Sequence, residues 1–171
     1  QNYGSVTEVD GQLHMNCIWS NERDGYHGIA DAYLPVPWGE RMYLVPLDDV
    51  VGFCNEVNAG REPSWSTDYL LRADDEQKEL MGNPQVPDEF SSYLLESPVE
   101  AEIIEIGEPT VRPGIIPEIQ FVDTPVTLNA GEDDGLLDGM KLYITMPDLV
   151  TGSVTITTAQ ADRSEAVMLQ L

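Results

Sequence analysis

Apolar and polar residues alternate with a period of two through "GSVTEVDG" and "QLHMNCIWS", the pattern of strands that bury one face. Asp10-Gly11 separates the two runs and is the residue pair that favours a tight hairpin turn, so they are predicted to pair antiparallel. "NERDGYHG" is polar and reads as a loop. "IADAYLPV" and "RMYLVP" continue the extended pattern across "PWGE", where Trp38-Gly39 predicts a turn with the indole over a core edge. The period then changes. In "LDDVVGFCNEVNAG", Leu47, Val50, Val51, Cys54 and Val57 recur at three- and four-residue spacing, which predicts one amphipathic helix. Asp48 and Asp49 stand in its first turn, where carboxylates oppose the positive end of the helix dipole. Gly60, following Asn58, suits a left-handed cap. Gly52 is the exception, since glycine in a helix interior costs about 1 kcal/mol relative to alanine.

Beyond the helix, Tyr69 to Arg72 reads as a short strand and "ADDEQKELMGNPQVP" as a turn-rich stretch holding one short helical turn. "DEFSSYLLESP" sets Phe90, Tyr93 and Leu94 at helical spacing until Pro98 ends the run. From Val99 onward the pattern is extended again. "VEAEIIEIGE" puts Val99, Ala101, Ile103 and Glu105 on one face and Ile104 and Ile106 on the other. After a link broken by proline and glycine, "RPGIIP", come "PEIQFVDTPVTLNAG", "MKLYITM", "GSVTITTAQ" and "EAVMLQL". Short, evenly spaced strands with Gly and Asp between them predict a small barrel or sandwich. The predicted fold is therefore mostly β (α+β): an N-terminal α+β unit over residues 1–98 with one clear helix, then a small five-stranded β-barrel over 99–171.

Charge narrows the partners. The 171 residues carry 31 acidic and 8 basic side chains, a net charge of −23, while 42% hydrophobic content argues against disorder. Such a field repels the nucleic-acid backbone and anionic lipid, so nucleic acid is not an expected partner. No apolar run is long enough for a transmembrane segment. The chain opens on Gln1 without a methionine or a signal-like segment. It reads as a processed or truncated product, with a periplasmic or extracellular location expected. Two meanings of the acidity stand side by side: solubility, in keeping with six arginines against two lysines in a salty medium, or capture of calcium or a cationic partner.

Candidate chemistry is sparse. In "AGEDDGLLDGM", a calcium loop would need oxygen ligands at alternate positions and a late glutamate. Glu132, Asp133 and Asp134 are consecutive and only Asp138 follows, so ligand spacing does not support calcium. Asp134-Gly135 and Asp138-Gly139 fit two turns, with Leu136 and Leu137 between them plugging a barrel end. Cys17 and Cys54 are either a disulfide of an exported protein or two separate buried thiols. No CxxC pair or Cys/His cluster suggests zinc, and no cofactor is expected. His14 and His27 accompany no GxSxG elbow. With so many carboxylates, pairs at a glycosidase spacing carry no information. Trp38, Arg41, Tyr43, Arg61, Trp65 and Arg72 form the most distinctive set. They are either a recognition surface of hot-spot residue types, or arginines neutralising nearby acids while the aromatics fill the core.

Leu128, Asn129, Gly131, Asp134, Gly135, Gly139, Met140, Gly152, Val154, Ile156, Ser164 and Ala166, within "VTLNAGEDDGLLDGMKLYI" and "GSVTITTAQADRSEAVML", carry a resemblance. The last part of the chain resembles small five-stranded barrels, of the SH3- or OB-like kind, in bacterial envelope proteins, such as the C-terminal domain of a periplasmic flagellar-assembly protein. "VPWGERMYLVPLDDVVGFCNEVNAGREPS" looks like segments of uncharacterised exported bacterial proteins. The resemblance implies an exported, non-catalytic binding or assembly module acting through protein–protein contacts. The alternative from another class is a small hydrolase-type enzyme or a calcium-dependent carbohydrate-binding protein using surface carboxylates.

Overall fold

The computed structural model describes residues 3–19, 30–63, 69–114, 120–146 and 149–170. The fold is mostly β, with one substantial helix and antiparallel sheets curled into a half-barrel. It divides into two compact units, residues 1–57 with 61–91, and residues 58–60 with 92–171. The boundary expected at residue 98 lies a little further along the chain than this division. Residues 58–60 belong to the second unit because the Asn58 side chain donates to Tyr93 O at 2.8 Å and accepts from Leu95 N at 3.0 Å.

The first unit is a five-stranded antiparallel sheet whose strands lie in chain order, with one substantial and one short helix. Strands β1 (Tyr3–Val9) and β2 (Gln12–Trp19) form the expected hairpin, and both turn residues have positive φ, 51° at Asp10 and 78° at Gly11. That pair of angles matches the right-handed twist of the strands it joins. Leu13↔Tyr33 and His14↔Ala32 pair this hairpin with β3 (Ala32–Trp38), and Met15 N donates to Asp31 O at 2.8 Å. Strand β3 pairs along its length with β4 (Arg41–Pro46), and β5 (Leu70–Leu71) closes the other edge.

The predicted helix is present as a 3-10 turn, Leu47–Asp49, running into α1, Val50–Asn58. Gly60 has φ +67° and Arg61 N donates to Glu56 O at 3.0 Å, the left-handed cap read from the sequence. The buried face differs from the predicted stripe. Val50, Phe53, Cys54 and Asn55 are buried, while Leu47, Val51 and Val57 are half-buried. Phe53 is the centre of the unit: its ring lies 5.6 Å from Tyr43, 5.4 Å from Tyr69 and 6.3 Å from Trp38, each edge-on. Edge-to-face contact sets the positive rim of one ring against the negative face of the next. Gly52 also has its reason. A Cβ there would stand 2.0 Å from Asp49 Oδ1, and that carboxylate accepts a hydrogen bond from the Tyr69 hydroxyl at 2.7 Å.

The loop after β5 begins with a 3-10 turn, Ala73–Asp75, the short helical turn that was expected. Helix α2 spans only Asp88–Ser91, so Tyr93 and Leu94 fall outside the helix that their spacing predicted.

The second unit is an antiparallel sheet in the order β6-β8-β11-β10-β9, with β7 also paired to β8. Its strands are β6 (Ile103–Ile106), β7 (Thr110–Pro113), β8 (Gln120–Leu128), β9 (Lys141–Met146), β10 (Leu149–Ala159) and β11 (Ser164–Gln170). Five strands were expected and six are formed. The additional one, β7, lies where the sequence reads as a broken link, and it shares one flank of β8 with β6. Among the described residues no ladder joins β9 to β6, so β6 and β9 are the ends of the strand order. Its core is Val126, Leu128, Ala130, Leu136, Met140, Val154, Ile156 and Ala166.

The acidic knot closes one end of this core. It is a 3-10 turn, Glu132–Asp134, followed by Gly135 and Gly139, both at φ +86°. Leu136 and Met140 are driven into the core while Leu137 packs against it. The acids cap backbone: Asp134 Oδ2 accepts from Gly131 N at 3.0 Å, and Asp138 Oδ1 from Ala159 N at 2.7 Å. The facing loop accepts in turn, with Glu132 N donating to Gln160 O at 2.7 Å and Asp133 N to Ala161 O at 2.9 Å. Buried Ser164 fastens the join by donating from Oγ to Ala130 O at 2.8 Å. These carboxylates turn and cap the chain, as the spacing predicted.

Candidate functional site

The described aromatic and basic residues singled out in the sequence do not form one exposed patch. Trp38, Arg41 and Tyr43 come together on the β3–β4 hairpin. Trp38 is half-buried, 6.1 Å from Tyr43, and its indole N–H donates to Gly82 O at 2.8 Å. Arg41 donates from Nε to Lys78 O at 2.6 Å and from Nη1 to Glu62. Tyr43 is buried and its hydroxyl donates to the same Glu62 carboxylate at 3.2 Å. Arg61 instead makes a two-pronged pair with Glu56 at the helix end, at 2.8 and 2.9 Å. Arg72 is exposed at the end of β5, and Trp65 lies outside the described residues. Arg41 and Arg61 are thus paired with acids and Tyr43 lies in the core.

The other titratable groups of the first unit serve packing too. Asp75 is buried, bound by Lys78 Nζ at 2.5 Å and by Met42 N at 3.0 Å. The Lys78 hydrogen bond and the Met42 amide hold its carboxyl below the usual range. Burial, then the bond to Asp49, pushes the Tyr69 phenol up. Cys54 is a buried free thiol, pushed up to about 12 by burial. Cys54 serves as a small core residue, and the alternative of a disulfide with Cys17 falls on a side chain outside the described part. Cys17 stands in β2, with its side chain outside the described part. His14 is exposed on β2, while His27 lies outside the described residues. Among the described residues, no group of three His, Cys, Asp or Glu is placed to hold a metal. No described helix is long and apolar enough to cross a membrane.

The feature that sequence reasoning passed over is the β6–β7 flank of the second sheet. Every residue of both strands is exposed. Ile104 is 57% exposed, Ile106 66% and Val111 58%, and Ile103 stands beside them at 36%. The alternation of this segment predicts a strand correctly, yet no described residue covers either of its faces. Carboxylates are interleaved with the apolar residues at Glu100, Glu102, Glu105 and Glu108, all exposed. At the N-terminal side of β6, a groove of about 620 Å³ runs between residues 99–102 and β9, lined by Glu100, Glu102, Asn129, Leu142, Tyr143 and Thr145 among others. The signal in the sequence was the presence of isoleucine at both parities of one short strand, with glutamates on either side.

Fold and surface together define a mostly-β protein with an open, apolar, acid-bordered sheet edge. Comparison with protein-family models, curated proteins and solved structures gave no significant match.

Proposed function

We propose that this chain is a non-catalytic binding or assembly module of an exported bacterial protein, working through protein–protein contacts. The observation that carries the proposal is the β6–β7 flank, where Ile104, Ile106 and Val111 stand largely in solvent and β6 forms an edge that no other described strand pairs. Adjacent exposed apolar residues on a folded surface mark contact sites, and long apolar edges are otherwise blunted or covered. The resemblance read in the last part of the sequence, to barrels of envelope proteins, implies the same kind of role.

A photo-crosslinking side chain at Ile104, introduced in the producing cell, tests this. One discrete adduct is expected, lost when Ile106→Asp and Val111→Asp are added and absent when the probe replaces exposed Thr158. Equal adduct yields at Ile104 and Thr158, or no adduct at either, would overturn the reading.

A further inference from the structure

We infer that the outer edge of β6 takes an extended, lysine- or arginine-rich polypeptide segment as an added antiparallel or parallel strand. The inference rests on the binding-module reading and names the chemistry of its partner.

The backbone is placed for it. Gly107 N donates to Pro125 O at 2.8 Å, and Asn129 N donates to Glu102 O at 3.1 Å, so Gly107 and Glu102 turn inward to β8. Inward and outward residues alternate in an antiparallel ladder, which makes Glu105, paired with Thr127, inward and Ile106, paired with Val126, outward. On the same alternation Ile103 is outward, and the irregularity between Ile103 and Glu105 accommodates Ile104. The edge thus presents backbone N–H and C=O groups flanked by three isoleucines. Strand addition uses this combination: main-chain hydrogen bonds along an edge and apolar contacts to alternate side chains.

Charge selects the occupant. Glu100, Glu102, Glu105 and Glu108 border this edge, and the nearest basic side chain in the segment, Arg112, is already paired with Asp123 at 2.5 Å. The whole chain adds a net charge of −23. A second copy of β6 laid against the first would bring like-charged carboxylates face to face in a molecule that already repels itself. Charges on an edge strand are a common guard against self-pairing. The same guard attracts a strand that alternates apolar residues with lysine or arginine, setting ammonium or guanidinium groups against the four glutamates.

The test uses the full chain, isotope-labelled, titrated with a seven-residue synthetic peptide alternating lysine and valine, and with its glutamate–valine counterpart. Amide shifts confined to β6 and slowed exchange at the Ile103 and Ile106 amides are expected with the lysine peptide only. Glu102→Lys with Glu105→Lys should weaken it by about tenfold or more, and added salt should weaken it further. Ile106→Pro removes the outward N–H without touching the ladder. It should abolish the exchange protection while leaving charge and the remaining spectrum unchanged. No shifts at millimolar peptide, equal affinity after the charge reversals, shifts spread over other acidic surfaces, or self-association lost in Ile106→Pro would each overturn the inference. If the peptide fails while the Ile104 cross-link forms, the partner's chemistry falls and the binding-module reading stands. If the cross-link also fails, both fall.

Discussion

Replacing Cys54 by alanine should reverse the order of stability of wild type and variant as pH rises. The thiol has no solvent exposure, and burial lifts its pKa from 9.0 to about 12. In the unfolded chain the thiol ionises near 9.0, while in the folded chain it keeps its proton. Between these values the unfolded state binds fewer protons, so folding stability is complete below pH 9.0 and falls as pH rises. The slope is about 1.4 kcal/mol per pH unit, which makes the loss about 2.7 kcal/mol by pH 11. Alanine removes one buried heavy atom, a deletion of methyl size that costs about 1 kcal/mol at neutral pH. Free of the alkaline loss, the variant should match wild type near pH 10 and exceed it above. Urea unfolding under reductant at half-unit pH steps from 8 to 11, followed by the near-ultraviolet signal of the aromatic cluster, measures the difference. Tyrosines and lysines titrate in both proteins and cancel. A difference that stays constant across this window would refute burial of the thiol as the cause.

Other outcomes follow from contacts equally local. Gly52→Ala should be close to neutral, because helix propensity gains about 1 kcal/mol while Asp49 is pushed off the Tyr69 hydroxyl; in an Asp49→Ala background the same change should stabilise by about 1 kcal/mol, read as a double-mutant cycle. Gly131→Ala places a Cβ 2.0 Å from Gln160 O and 2.7 Å from Arg163 N, both backbone, and should cost about 2 kcal/mol or more; Gly11→Ala has no neighbour within 4 Å and should cost only about 1 kcal/mol for its positive φ. Asp134→Ala should lower the melting temperature by removing the cap on Gly131 N, and millimolar calcium should move neither protein's melting temperature. Asp75→Asn should flatten the acid limb of the stability curve. The wild-type carboxyl is held below its usual 3.8, so it contributes stability above that pH that is lost as pH falls through the folded value.

Features set by neighbours in the chain were legible in the sequence: the Asp10-Gly11 turn, the Gly60 cap, and the two glycine turns of the acidic knot. Each is decided within a few residues by φ preference and a local hydrogen bond. Phe53 was missed although it lies inside the predicted helix, because its burial depends on Tyr43 of β4 and on Tyr69, just before β5. Gly52 read as a defect because Asp49 and Tyr69 give it its meaning only in three dimensions. Trp38, Arg41 and Tyr43 read either as a surface or as packing, and Glu62, which binds both Arg41 and Tyr43, is a partner that their own spacing did not reveal.

The β6 segment shows most clearly what pattern omits. A period of two identifies a strand and says nothing about what lies across either face. A strand covered on both sides would be apolar at both parities with few charges, and one covered on a single side would keep its isoleucines in register. "EAEIIEI" does neither: Ile103 and Ile106 stand at opposite parities, Ile104 adjoins Ile103, and Glu102 and Glu105 flank that pair. Such a strand fits an edge whose cover comes from outside the chain, and the exposure of Ile104 and Ile106 is the structural form of that mixed pattern.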